Sequence, residues 1–312
     1  MKGKCIIHIL GMWLLCFMFS VASADDVWQH ADGQKERLIG WSSDQSHSWD
    51  TPYSFPDERT EALMRKIIGG SKKKTILYQD VEKIRSFRLS DASTEVALEY
   101  ISVLKYFPNL DVVDIHNCGL KEVPIEIGEL PITSLSLQGN DLRDISALSN
   151  MKNLSDLQLQ ANNFITDYSP LAEIDNLKSL NISMFSARDT SVIARCNKLR
   201  SLSLCGYFQR VVNNETYQIE HYCVPINDVS FLEELPELMR VGFYGFSDIS
   251  DTAMEQIENI TTDIKIDVRI RDGEVRDLHN DLKNGITGHW IGENALHGLN
   301  KEDILTFYEH KE

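Results

Sequence analysis

The chain has 312 residues, with 31 Lys and Arg against 47 Asp and Glu, and a formal net charge of −16. That balance repels nucleic acid and anionic membrane surfaces, so neither is an expected partner. With 42% apolar and 25% charged residues, 17 Gly and 8 Pro, the composition is that of a folded protein and excludes collagen-like or Pro-rich character.

Taken in chain order, residues 1–24 read as an export signal. Met1-Lys2-Gly3-Lys4 is a basic start, Cys5 to Phe19 is apolar, and Ala22-Ser23-Ala24 is a small-x-small site. This pattern predicts a secretory signal peptide cleaved after Ala24 and a secreted or periplasmic mature chain. The apolar run is shorter than the roughly 20 residues of a membrane span and is interrupted by His8. No later run is long enough, so no membrane insertion of the mature chain is expected. Residues 25–83 are expected to be an N-terminal flank and cap. Within them Asp57 to Ile68 predicts an amphipathic helix, with Leu63, Ile67 and Ile68 on one side and Gly69-Gly70 as its stop. Trp28, Trp41 and Trp49 read as packing for that cap.

From residue 84 one apolar frame recurs, L-x-x-L-x-L-x-x-N-x-L. Leu110, Val113, Ile115, Cys118 and Leu120 fill one copy; Ile132, Leu135, Leu137, Asn140 and Leu142 fill the next; Leu154, Leu157, Leu159, Asn162 and Phe164 fill a third. Shorter copies begin at Leu177, Leu199 and Leu238, a degenerate one at Ile84 and a slipped one at Ile260. The starts at 84, 110, 132, 154, 177, 199, 238 and 260 are separated by 26, 22, 22, 23, 22, 39 and 22 residues. The long step marks an insertion, placed at 206–225. Each x-L-x-L-x core alternates and so predicts a short strand. Between strands Asp144-Ile145-Ser146-Ala147-Leu148 recurs at 167–171 and 228–232 as a D-x-S-x-L return.

These motifs resemble the leucine-rich repeat family over about residues 84–268, and the return is similar to its internalin-type branch of 22-residue repeats. The resemblance implies an α/β fold: a leucine-rich repeat solenoid, a right-handed superhelix of strands and helical or 3-10 returns, with an N-terminal helical cap. It also implies a buried ladder for Asn140 and Asn162. Stacked copies share a core that no single copy could supply. Residues 269–312 lack the period and read as a C-terminal flank.

Cys5 and Cys16 leave with the signal, and Cys118, Cys196, Cys205 and Cys223 remain, which allows three pairings. Cys118 fills an asparagine slot and is expected to be a buried core residue. Cys118 and Cys196 lie too many strands apart to bridge. Cys205–Cys223 is the favoured disulfide, and closing that loop would stabilise by roughly 3 kcal/mol. The alternative is four reduced thiols.

Strand alternation places the residues between core leucines on the concave face. The central column reads Arg88, Asp114, Ser136, Gln158, Asn181, Ser203, Gly242 and Lys265; the next includes His116, Gln138, Gln160, Cys205, Tyr244 and Asp267. The insertion adds Tyr207, Phe208, Arg210, Tyr217, His221 and Tyr222. A long, aromatic-rich insertion beside that face predicts a contact surface. Phosphate-loop, zinc-protease and nucleophile-elbow motifs are all missing. The expectation is therefore an exported, non-enzymatic module for protein–protein recognition, of adhesion or inhibitor type as the resemblance implies, with a protein partner and no cofactor. The alternative is carbohydrate binding or enzymatic activity in the flanks, which carry Trp28, Trp41, Trp49 and Trp290.

Overall fold

The computed structural model describes residues 50–69, 75–183, 191–213, 218–246, 249–261, 263–270 and 276–277. For 207–213, 218–223, 269–270 and 276–277 only the backbone is described. The expected signal peptide, Trp28, Trp41, Trp49, Tyr217 and the flank from 278 onward lie outside these residues.

Helix α1 (Glu58–Ile68) forms where the sequence signals it. The Asp57 carboxylate accepts from the Thr60 N–H at 2.8 Å, and Gly69 ends the helix at φ +68. Leu63 and Met64 are its buried apolar residues, whereas Ile67 and Ile68 are half-buried against the core. Short α2 (Tyr78–Glu82) follows, and α3 (Thr94–Leu104) begins at the Ser93 cap.

The repeats build one sheet. Among the described residues its strands run in the order β1 (Ser86–Ser90), β2 (Val112–His116), β3 (Ser134–Ser136), β4 (Asp156–Gln158), β5 (Ser179–Ser183), β6 (Ser201–Cys205), then β9 (Arg240–Phe246), β10 (Lys265–Ile270) and β11 (Arg276–Asp277). All neighbours are parallel except β10 and β11. Register stacks Phe87, Val113, Leu135, Leu157, Leu180, Leu202, Val241 and Ile266 into a single row. All of them are buried, as one continuous core requires.

The return segments have a physical reason. Asp144, Asp167 and Asp228 each accept from the N–H two residues on, at 2.8, 2.8 and 2.9 Å. Those serines open the 3-10 turns Ser146–Asn150, Ser169–Glu173 and Ser230–Glu234. The remaining described returns are helical: α3, α4 (Ile125–Gly128), α5 (Ser191–Ala194) and α6 (Asp251–Asn259).

The asparagine ladder is present. Asn140 Oδ1 accepts from the N–H groups of Cys118 and Leu120, while its Nδ2 donates to the carbonyls of Ile115 and Leu137. Asn162 Nδ2 donates to Leu137 and Leu159, and its Oδ1 accepts from Leu142. Cys118 is buried in its slot as expected. The turn after each of the first four strands is left-handed, at Asp91, Asn117, Gly139 and Ala161. At φ +67 a side chain on Gly139 would be strained, and its Cβ would sit 2.1 Å from Asn117 Oδ1, forcing that side chain to move.

Two expectations need correction. The insertion is not a loop but an antiparallel hairpin, β7 (Tyr207–Asn213) with β8 (Gln218–Cys223), forming its own two-stranded sheet. Because β6 pairs directly with β9, the hairpin leaves the sheet unbroken. The last repeat is also shifted by two residues, since Gly242 pairs with Asp267 and Arg240 with Lys265. Ile266 and Val268, rather than Ile264 and Ile266, are therefore the alternating core residues of that strand, and Val241 pairs with a residue 25 positions on instead of about 22.

Candidate interaction face

Register divides the open side of the sheet into three columns. The first runs Ser134, Asp156, Ser179, Ser201, Arg240 and Lys265; the second runs Arg88, Asp114, Ser136, Gln158, Asn181, Ser203, Gly242 and Asp267. The third holds His116, Gln138, Gln160, Ser183, Cys205 and Tyr244, the glutamines standing just beyond their short strands. Of the residues expected on this face, Asp114, His116 and Gln158 lie on it half-buried.

At one end Asp114 is a node. It takes Arg88 Nε at 2.8 Å and His116 Nδ1 at 3.0 Å. Gln138 and Gln160 depart from the expectation, because they are 7% and 6% exposed. Gln160 Nε2 donates to Gln138 Oε1 at 2.7 Å, and Gln160 Oε1 is buried without a partner. These two side chains rigidify the face more than they offer contact. The small Ser134, Ser136, Ser179, Ser201 and Ser203 leave the centre as a floor of hydroxyls.

At the other end the Tyr244 ring folds back over Gly242 of its own strand. A Cβ on Gly242 would sit 2.4 Å from the Tyr244 hydroxyl, so the glycine makes room for the ring. The hairpin starts beside it. Gly206 N–H donates to the Tyr244 carbonyl at 2.9 Å, and the Gly206 carbonyl accepts from Val224 at 3.1 Å. A Cβ on Gly206 would meet the buried Phe246 ring at 2.5 Å, so the root of the hairpin packs directly on that ring.

Hairpin register splits the predicted cluster. Phe208 stands opposite Tyr222, and Arg210 opposite Glu220, on one face. Tyr207 opposite Cys223, and Gln209 opposite His221, occupy the other. No disulfide is present among the described residues, and the Cys223 side chain lies outside them. The Cys205–Cys223 bridge remains a proposal.

Sequence reasoning missed the first column. Asp156 and Arg240 stand at the same register position, with Ser179 and Ser201 between them. The signal was there: the same alternation, read two residues earlier, reaches both. Burial pushes the Asp156 carboxyl upward, and hydrogen bonds from Ser179 and Gln158 pull it back. Neither Asp156 nor Arg240 has an ion-pair partner among the described residues. No helix among the described residues is long and apolar enough to cross a membrane.

Residues 132–173 match a family model described as Leucine Rich repeats (2 copies). No curated protein matches the sequence. Among solved structures, an internalin C2 from Listeria monocytogenes is 22% identical, covering 72% of this chain and 99% of its own, with a TM-score of 0.44. A second internalin of that organism, internalin F, is 21% identical over 69% of each chain, with a TM-score of 0.41. Human 5T4, or trophoblast glycoprotein, is 17% identical over 70% of this chain and 87% of its own, with a TM-score of 0.42. The family model falls on the two repeats whose asparagines form the ladder. With strand, asparagine turn and 3-10 return repeating every 22 residues or so, the fold is a leucine-rich repeat solenoid, and residues 132–173 carry the repeats that the family model matches.

Proposed function

We propose that this protein is an exported, non-enzymatic recognition module of adhesion or inhibitor type. It takes a protein partner on the open sheet face and the adjoining hairpin. Leucine-rich repeat proteins are generally modules for protein–protein interaction. The observation that carries the reading here is the hairpin. It is a 206–225 insertion added beside Tyr244 at the edge of the face, without any cost to the pairing of β6 with β9. Tyr207, Phe208, Arg210, Tyr217, His221, Tyr222 and Tyr244 supply the aromatic and basic residue types that dominate protein contacts. Two framework features belong to the same proposal. Cys205 and Cys223 close the hairpin base as a disulfide, and residues 57–82 cap the first repeat.

The test is affinity capture from the native environment with the mature chain, residues 25–312, as bait. A partner held by wild type and lost on replacing Tyr217 and Tyr222 with Ala supports the site. A partner retained by that variant refutes it.

A further inference from the structure

Resting on that reading, the register of the sheet says what kind of segment the face accepts. We infer that Asp156 and Arg240 form a two-point charge reader, and that the occupant is an extended polypeptide segment carrying a basic and an acidic side chain four residues apart.

The first observation is position. Asp156 on β4 and Arg240 on β9 occupy the same register column, separated by Ser179 and Ser201 on β5 and β6. Three strand spacings of about 4.8 Å put them about 14 Å apart. Both are half-buried, and neither is neutralised by an ion-pair partner among the described residues.

The surroundings sharpen the polarity. Among the described side chains of the first two columns the other charges are already matched: Asp114 with Arg88 and His116, and Lys265 with Asp267 at 3.0 Å. Asp156 and Arg240 are thus the unmatched charges among the described side chains of those columns, one near each end of the serine floor. In a chain of net charge −16, an unpaired arginine on this face is a local exception that favours an acidic group.

The floor and the spacing select an extended occupant. An extended chain advances about 3.4 Å per residue, so side chains four apart are about 14 Å apart. An even offset also puts them on the same face, so both can point down at once. Ser179, Ser201 and Ser203 hydroxyls can donate to or accept from peptide groups. An extended segment leaves those groups open, whereas a helix satisfies them internally. The same separation on a helix needs about nine residues, at 1.5 Å each, and presents no open backbone to the floor.

The test selects binders from a displayed library of random 12-residue segments on full-length wild type, Asp156→Asn and Arg240→Gln. Wild type should enrich basic–acidic pairs at a four-residue offset. A selected peptide should bind each variant about tenfold more weakly, and Asp156→Asn should lose only the basic preference while Arg240→Gln loses only the acidic one. Circular dichroism melts of both variants should match wild type or exceed it, which separates lost recognition from lost fold. Binders that show no charge pair, or that hold both variants equally, overturn the charge reader while leaving the open face as a protein-binding surface. A library that yields no binder overturns the charge reader. Loss of native capture in the Tyr217 and Tyr222 variant would then still support the broader function on its own.

Discussion

Asn140 and Asn162 occupy equivalent slots, yet their removal should cost different amounts. Asn140→Ala strands the buried N–H groups of Cys118 and Leu120, which reach Asn140 Oδ1 at 3.0 and 3.2 Å. It also strips the Ile115 carbonyl of its Asn140 Nδ2 donor at 2.9 Å. Asn162→Ala strands one N–H, that of Leu142 at 3.2 Å. A buried donor left open costs about 1–3 kcal/mol, so Asn140→Ala should cost about 3–5 kcal/mol and Asn162→Ala about 2. The two also share an acceptor. The Leu137 carbonyl takes Asn140 Nδ2 at 2.9 Å and Asn162 Nδ2 at 2.8 Å. Either single variant leaves it one donor, and only the double variant strips both. The double loss should therefore exceed the sum of the singles by about 1 kcal/mol. Urea unfolding followed by far-ultraviolet circular dichroism measures all three. Equal single losses, or a double loss that is merely additive, would refute the shared-carbonyl account.

Ala161 sits at φ +58 where other repeats place Asp91, Asn117 and Gly139. Ala161→Gly keeps the N–H bond to Ser183 Oγ and should raise stability by about 0.5–1 kcal/mol in the same urea assay. Gly206→Ala should lower it by about 1–3 kcal/mol, because the new methyl meets the buried Phe246 ring. For Asp156, burial raises the folded pKa above 3.8, so its contribution to stability declines as pH rises through that range. Asp156→Asn should therefore stabilise at neutral pH and give no gain in acid, as melts across pH 2–7 would show. Asp144 and Asp228 act in the opposite sense. The backbone N–H of Ser146 or Ser230 holds each below 3.8, so the stability each adds is present above that value and lost as pH falls through the folded pKa. Asp144→Ala should flatten the acid limb of the same profile. Finally, a denatured chain of residues 25–312 should take two alkyl labels without reductant and four with it if Cys205 and Cys223 are bridged, as intact mass would report. In the native state, burial pushes the Cys196 thiol up to about 11 and should keep it unlabelled.

The repeat was legible because each copy states its own structure locally. Leu135 and Leu157 alternate with Ser136 and Gln158, Asp144 and Asp167 cap the turns that follow, and Asn140 and Asn162 mark the ladder. A period of 22 converts those local statements into a stack, since a copy with one apolar side can bury it only against the next. The face was legible in part for the same reason: alternation assigns Asp114, Gln158 and Tyr244 to the open side without coordinates.

What the linear pattern left open depends on distance in space. Gln138 and Gln160 read as exposed, but their long side chains bond to each other along the column and are buried there. The insertion read as a loop, because hairpin register arises from pairing two segments across a turn. The two-residue shift in β10 follows from its pairing with β9, which outweighs the nearest apolar spacing in sequence. The opposition of Asp156 and Arg240 joins residues 84 positions apart. Periodicity names the side on which each of them stands; only the stacking of four strands, with β6 passing directly to β9, decides that they share one column.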